Sequence, residues 1–219
     1  MVSDADKRKA AQLNEEGLLR YRHWELDEAI AAFRKAIEIN PEQPDYHLNL
    51  ARALVRYGDY EGTLKALGSF LRLESDPELV ERFERLFGTA LDAVESLLIT
   101  TMLEHNVPLE MIGSSIQMWM EYRIAVGRHP LDVRNPAPWA AAIDLTVRKV
   151  NFREVPLKQI AEWYGTSPAA VRKRHLELIS TLDIMPCDYR YFRQEQNPLD
   201  KLVEAASMFE ELEERFRKL

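Results

Sequence analysis

The feature that most constrains this chain is an internal repeat. Ala10–Gln43 lies over Pro44–Pro77 at a period of about 34 residues, so that Gly17 falls on Ala51, Ala29 on Thr63, Phe33 on Leu67 and Ala36 on Phe70. A unit of this size buries its apolar face only against a neighbour, so the copies must stack. Small residues at Gly17 and Ala29 let two paired helices approach closely. Phe33 and Ala36 share one stripe of the second helix. Pro41 ends that helix, because proline lacks the N–H and clashes with the preceding turn. The expectation is an all-α fold that begins with helical hairpins.

The segment EGLLRYRHWELDEAIAAFRKAIEINP, with Gly17, Ala29, Phe33, Ala36 and Pro41 at the expected offsets, resembles the tetratricopeptide repeat. The second copy, LARALVRYGDYEGTLKALGSFLRL, is looser but keeps a Gly58-Asp59-Tyr60 turn. The resemblance implies that the first helix of each pair lines a concave groove for an extended peptide. The groove positions would be Asn14, Leu18, Tyr21 and Arg22, then Leu48, Arg52, Val55 and Arg56. Arg52 and Arg56 stand one helical turn apart, and Arg22 corresponds to Arg56 across the repeat. Three guanidiniums in one groove suit an acidic peptide or a C-terminal carboxylate, held bidentately. The alternative is that they are ordinary solvated arginines. The stripe Leu79, Val80, Phe83, Leu86 and Phe87 is expected to cap the second repeat.

From Leu79 to about Asp183 the sequence reads as five helices. They are separated by Pro-, Gly- or Asn-rich breaks at Asn106–Pro108, Arg128–Pro138, Asn151–Pro156 and Gly165–Pro168. The stretch NPAPWAAAIDLTVRKVNFREVPLKQIAEWYGTSPAAVRKRHLELISTL resembles one cyclin-type repeat of the general transcription initiation factor IIB family. That resemblance implies a five-helix cyclin-like bundle around a small-residue central helix at Ala140–Ala142. It departs from the family in carrying a single repeat and no zinc ligands. The last two helices, within 156–182, also match a helix-turn-helix, with Ala161 under the crossing, Gly165 in the turn and Val171 as anchor. Read as a DNA-binding element, it presents Ser167, Arg172 and Lys173 at the start of the second helix and Lys158 on the first. Arg148, Lys149 and Arg153 would extend that basic face. Arg174 stands where such DNA-binding elements are usually apolar, which favours the cyclin-like reading and protein binding.

The remaining composition narrows the function by exclusion. The formal net charge is -7, yet about +4 gathers in residues 128–193 between acidic flanks. A lone cysteine, Cys187, excludes an internal disulfide framework, and five scattered histidines offer no metal-ligand spacing. With no glycine-rich phosphate loop and no serine elbow, no cofactor and no catalytic residue is expected. Trp119, Tyr122, Trp139, Trp163 and Tyr164 read as core packing rather than a cofactor site. The N-terminus lacks a signal-peptide core, and Leu97–Leu103 is too short to span a bilayer, so a cytoplasmic protein without membrane association is expected. After MPCDYRYFRQEQ, read as a linker folded across the second module, Pro198 opens an amphipathic helix. Its apolar stripe of Leu199, Leu202, Val203, Ala206, Phe209, Leu212 and Phe216 lies opposite Glu210, Glu211, Glu213 and Glu214. Three segments result: repeats over 1–77, a cyclin-like module over 78–193 and a C-terminal helix over 194–219. The expected role is a non-catalytic adaptor for a protein or peptide, with DNA binding as the rival.

Overall fold

The computed structural model describes residues 2–87, 91–131, 133–153 and 155–193, and every regular element among them is helical. The expected C-terminal helix lies outside the described residues. The chain opens with α1 (Asp4–Arg22), α2 (Leu26–Ile39), α3 (Pro44–Tyr57) and α4 (Tyr60–Leu73). Local chemistry sets these bounds. Ser3 caps α1 by accepting from the Asp6 N–H, and acidic residues fill the first turn, where the helix dipole favours them. Pro44 starts α3, and Gly58, at φ 92°, ends it in the left-handed conformation. The Asp59 carboxylate accepts from the Gly62 N–H at 2.8 Å and starts α4.

The hairpins close as the small residues require. A Cβ on Gly17 would lie 2.6 Å from the ring of Phe33, so only glycine admits that crossing. Ala29, Phe33, Ala51, Leu67 and Phe70 are all fully buried in one continuous core. A fifth helix, α5 (Pro77–Glu84), extends it: Phe83 meets Phe70 edge-on at 5.2 Å, and Leu79 is buried alongside. The expected cap therefore packs with the repeats, and a 3-10 turn over Arg85–Phe87 follows.

The second half contains α6 (Ala93–Glu104), α7 (Leu109–Ala125), α8 (Ala137–Val150), α9 (Leu157–Trp163) and α10 (Pro168–Leu182). Asp92 and Glu95 form a reciprocal capping box on α6. Helix α8 is central, touching α6, α7, α9 and α10, and Ala140, Ala141 and Ala142 are fully buried where small side chains permit close approach. Trp119, Tyr122 and Trp139 pack ring against ring in this core, with centroids 5.0–5.8 Å apart. Ile124 of α7 is buried in the core of the repeats, so α7 joins the two halves.

Candidate functional site

The face of α3 that the sequence assigns to a peptide groove is covered by the chain itself. Helix α7 packs on α3, and the turn after it places Gly127 over Leu48 and Arg52. At φ +57° that turn suits glycine, although a Cβ there would be only in ordinary contact, 3.6 Å from Arg52 Cδ. Arg128 then forms ion pairs with Asp45 of α3 and with Glu74 just after α4. Burial works against the Arg128 charge, but its hydrogen bonds to both carboxylates outweigh it and raise its pKa. Burial also pushes the Glu74 carboxyl up. The backbone N–H groups of Asp76 and Ser75, with Arg128, more than reverse this and hold its pKa below the ordinary value.

The groove residues expected from sequence are distributed accordingly. Asn14 is buried and accepts from Asn49 Nδ2 at 3.0 Å, while Leu18 is half-buried. Tyr21, Leu48 and Val55 are buried. Arg56 is buried too, its guanidinium 4.3 Å from the Tyr21 ring centroid and 4.4 Å from that of Trp24. It donates to the carbonyls of Tyr21 and Thr181, both at 3.4 Å, so its guanidinium is taken up by the chain itself, in part by a residue of α10. Arg52 is half-buried and donates to Asn49 Oδ1 at 3.3 Å; its Nε has no hydrogen-bond partner among the described residues. Arg22 is exposed. The three arginines therefore do not share one open groove.

Residues outside the groove and basic-face sets lock this arrangement. Trp24, held at φ 62°, donates its indole N–H to Asp183 at the end of α10. Glu121 of α7, 1% exposed, accepts from Tyr60 Oη (2.9 Å) and Gln117 Nε2 (2.9 Å), and from Tyr191 Oη (2.5 Å) and Arg190 Nη1 (3.4 Å). Burial and the Glu121 carboxylate push the Tyr191 hydroxyl well above its ordinary pKa, so it stays a donor. Arg190 is fixed in turn by Asp188 at 2.8 Å and by the Leu182 carbonyl at 2.9 Å. Residues 185–193 thus fold back across the second bundle, and Asn151 Nδ2 donates to the Tyr191 carbonyl at 3.0 Å. The one sequence signal for this was the aromatic and charged run MPCDYRYFRQEQ, which names no partner for Glu121.

The face made by α9 and α10 is different. Ser167 caps α10, accepting from the Ala170 N–H at 3.2 Å. Lys158 is exposed and sits 3.9 Å from Glu162. Arg172 and Lys173 are exposed, and no ion pair engages them among the described residues. They rim an open groove of about 560 Å³ whose floor is Leu157, Pro168, Ala169 and Leu176, the last 58% exposed. Arg148 is absent from this face: it is buried against Asp144, Nε to Oδ1 at 2.6 Å. Lys149 turns to His175, Nζ to Nε2 at 3.2 Å, and that ring is buried against the Thr146 hydroxyl at 2.8 Å. Arg174 lies over the Trp139 ring at 4.3 Å and pairs with Glu177 at 2.7 Å, which accounts for a cation at a position usually apolar. No cluster of His, Cys, Asp or Glu able to hold a metal ion occurs among the described residues. Among the same residues, no helix is long and apolar enough to cross a membrane.

Comparison with known proteins bears on the repeats. Residues 21–62, which span the end of α1 to the start of α4, match the TPR repeat family. The chain is also 35% identical over 89 residues to small glutamine-rich tetratricopeptide repeat-containing protein 2 of Mycosarcoma maydis, a stretch covering 41% of this chain and 24% of that protein. The chain thus spans about a quarter of that relative. No solved structure matches the chain.

Proposed function

We propose that this chain is a non-catalytic protein-interaction adaptor whose repeats grip its own second bundle, leaving the α9–α10 face to a protein partner. The observation that carries the reading is the contrast between two surfaces. The α3 face is filled by α7, Gly127 and Arg128, whereas the groove of Leu157, Pro168, Ala169 and Leu176 stands open among the described residues, rimmed by two cations that form no ion pair among those residues. An apolar floor with a basic rim matches the anatomy of a protein-binding patch, in which apolar contacts supply affinity and the charged rim supplies orientation. Five helices, α6 to α10, around a small-residue α8 support reading the second half as a cyclin-like module, with repeats before it and a C-terminal helix over 194–219 after it. Peptide capture by Asn14, Leu18, Tyr21, Arg22, Leu48, Arg52 and Arg56, of an acidic or carboxylate-ended ligand, then requires the second bundle to move away first. A cytoplasmic location fits this reading.

The test is comparative capture by the full-length chain. Proteins retained by the wild type should be lost with Arg172→Glu plus Lys173→Glu, and independently with Leu176→Asp, while Arg22→Ala leaves them in place. Retention unchanged by all three variants would move the partner site elsewhere. A second reading, DNA binding by Lys158, Ser167, Arg172 and Lys173, is favoured by two exposed cations at the start of α10 that form no ion pair among the described residues. It calls for a duplex complex that weakens steeply with salt, and a shallower salt slope once both cations are removed.

A further inference from the structure

We propose that the partner of the α9–α10 face is an acidic amphipathic peptide segment. Its apolar side chains lie on the Leu157–Leu176 floor, and its carboxylates are met by Arg172 and Lys173 at the groove and by Lys149 and Arg153 beside it. The inference rests on the reading of that face as the partner site and adds the chemistry of what the site takes. The arrangement along α10 is the first observation. Ala169, Arg172, Lys173 and Leu176 are all exposed and fall at i, i+3, i+4 and i+7. They form one solvent-facing stripe in which two cations stand between a small and a large apolar side chain. Leu176 is 58% exposed, and Leu157 and Pro168 continue the apolar surface in the groove of about 560 Å³. A groove between two helices takes the apolar face of a third, whose flanks then lie against the cations at the rim.

The second observation is how far the basic surface extends. A depression of about 410 Å³, lined by Leu145, Lys149, Arg153, Val155 and Pro156, meets the groove at the consecutive residues Pro156 and Leu157. Arg153 is exposed, and its backbone N–H donates to the Arg148 carbonyl at 2.9 Å, which fixes its place after α8. Lys149 leans toward α10, its Nζ 3.2 Å from His175 Nε2. None of the four cations forms an ion pair among the described residues. The carboxylates of α9 and α10 are already engaged: Glu162 stands 3.9 Å from Lys158, and Glu177 holds Arg174 at 2.7 Å and the Tyr122 hydroxyl at 2.9 Å. Glu154, next to Arg153 in sequence, lies outside the described residues. In a chain of formal net charge -7, four cations with no carboxylate among the described lining residues favour an anionic occupant. The floor then separates peptide from nucleic acid. A phosphate backbone answers the cations and leaves Leu157 and Leu176 uncovered, whereas a Leu or Phe side chain removes them from water.

The experiment selects random phage-displayed peptides of about 15 residues, roughly four helical turns, on the immobilised full-length protein. Peptides retained by the wild type and lost with Leu176→Asp should carry two or more Asp or Glu residues beside apolar residues at helical spacing. Selection on the chain with Arg172→Glu and Lys173→Glu should turn the enrichment to Lys and Arg. For one enriched acidic peptide, fluorescence anisotropy should give a Kd about tenfold weaker with Arg172→Glu plus Lys173→Glu, and about threefold weaker with Arg153→Ala. The first loss should be recovered when lysines replace the acidic residues of the peptide. All the altered residues are exposed, and circular dichroism checks that the helices are intact. Groove-dependent peptides without acidic residues overturn the proposal and leave the face as the partner site. Acidic peptides indifferent to Leu176, Arg172 and Lys173 overturn both. If no sequence is enriched, the proposal fails, and partner capture that still depends on Arg172 and Lys173 preserves the face alone. Retention of a DNA duplex in place of any peptide, lost with Arg172→Glu plus Lys173→Glu, gives the face to nucleic acid. A mass in solution that doubles with concentration and reverts with Leu176→Asp gives it to a second copy.

Discussion

The two halves of this molecule are both stacks of short helices, yet they are held together by different chemistry. In the repeats the buried positions are mostly apolar or small, with Asn14, His47, Arg56 and Thr63 as the polar exceptions. In the second half Ser114, Ser115, Glu121, Asp144, Thr146, Arg148, Asn151, His175, Asp188 and Arg190 are all buried. Shape fixes the first half, because small residues set how close helices come. A polar network fixes the second, tying residues far apart in sequence: Tyr164 to Asp144 at 3.1 Å, Tyr122 to Glu177 at 2.9 Å and Tyr191 to Glu121 at 2.5 Å. Shape is tolerant of partial loss; a network is not, since each broken pair leaves a buried group unsatisfied.

The sharpest way to break this contrast is at Asp144. Its carboxylate is fully buried on the central helix, and burial raises its pKa against the opposing pull of Arg148 and Tyr164. Even so, Arg148 Nη2 has no hydrogen-bond partner among the described residues. Asp144→Ala strands a buried guanidinium and a buried hydroxyl together, and the expected loss is about 3–5 kcal/mol in chemical denaturation. Asp144→Leu with Arg148→Met and Tyr164→Phe should recover most of that loss, because an apolar set replaces a costly buried pair. If Asp144→Ala costs no more than an ordinary truncation, the network is not what holds this half.

The matching break in the repeats is steric. Gly17→Val drives a branched side chain into the Phe33 ring, which is fully buried and has nowhere to turn. The expected cost is about 2–3 kcal/mol, read as a lower urea midpoint. Adding Phe33→Leu should return part of it by vacating the ring's volume. A network defect has no such volume-based rescue, which separates the two mechanisms.

The same difference explains what could be read from the sequence. Gly17, Ala29, Phe33 and Pro41 act within one hairpin, so a fixed spacing announced the hairpin, its crossing and its end. The breaks at Pro108, Pro138, Pro156 and Pro168 likewise marked helix starts, because proline acts on its own backbone. The charge count puts Arg148 on a basic face because it does not reveal that its partner Asp144 lies one turn back on a helix buried almost all round, Lys149 excepted. Arg56 was placed in an open groove because nothing in residues 10–76 indicates that α7 and Thr181 arrive there. Glu121 went unnoticed for the same reason: its partners Tyr60, Arg190 and Tyr191 come from three distant parts of the chain.

A smaller effect follows from His175, which only the second half contains. Burial, reinforced by the Lys149 ammonium, lowers its pKa from the ordinary 6.5 to about 4. At pH above 6.5 the ring is neutral both folded and unfolded, and it contributes no pH dependence. Between pH 6.5 and 4 the unfolded chain takes up a proton that the fold excludes, so stability drops as the pH is lowered through that window and levels off below it. The expected decline is up to ~3 kcal/mol in thermal unfolding from pH 7 to 4. His175→Gln should flatten it while leaving stability at pH 7 within about 1 kcal/mol.

The smallest effect is expected at the junction between the halves. Arg128 reaches Asp45 and Glu74 from the turn after α7, but its side chain is 39% exposed and Asp45 is 43% exposed. An ion pair as open to water as Arg128–Asp45 contributes about 0.2–1 kcal/mol and is screened within roughly 8 Å at physiological salt. Glu74, only 5% exposed, keeps the backbone N–H groups of Ser75 and Asp76 once Arg128 is removed. Arg128→Ala should therefore lower the melting temperature by only a few degrees at low salt, with the gap to wild type closing as salt is added. The apolar contacts of Ile124 and the buried Glu121 pairs remain, and neither responds to salt in this way. A loss as large as that at Asp144 would mean that the repeats and the second bundle unfold as one cooperative unit through this corner. In that case a partner able to pull α7 from the groove face would have to unfold the second half to reach Arg52 and Arg56. A small, salt-sensitive loss keeps the halves separable and leaves that face accessible by displacement alone.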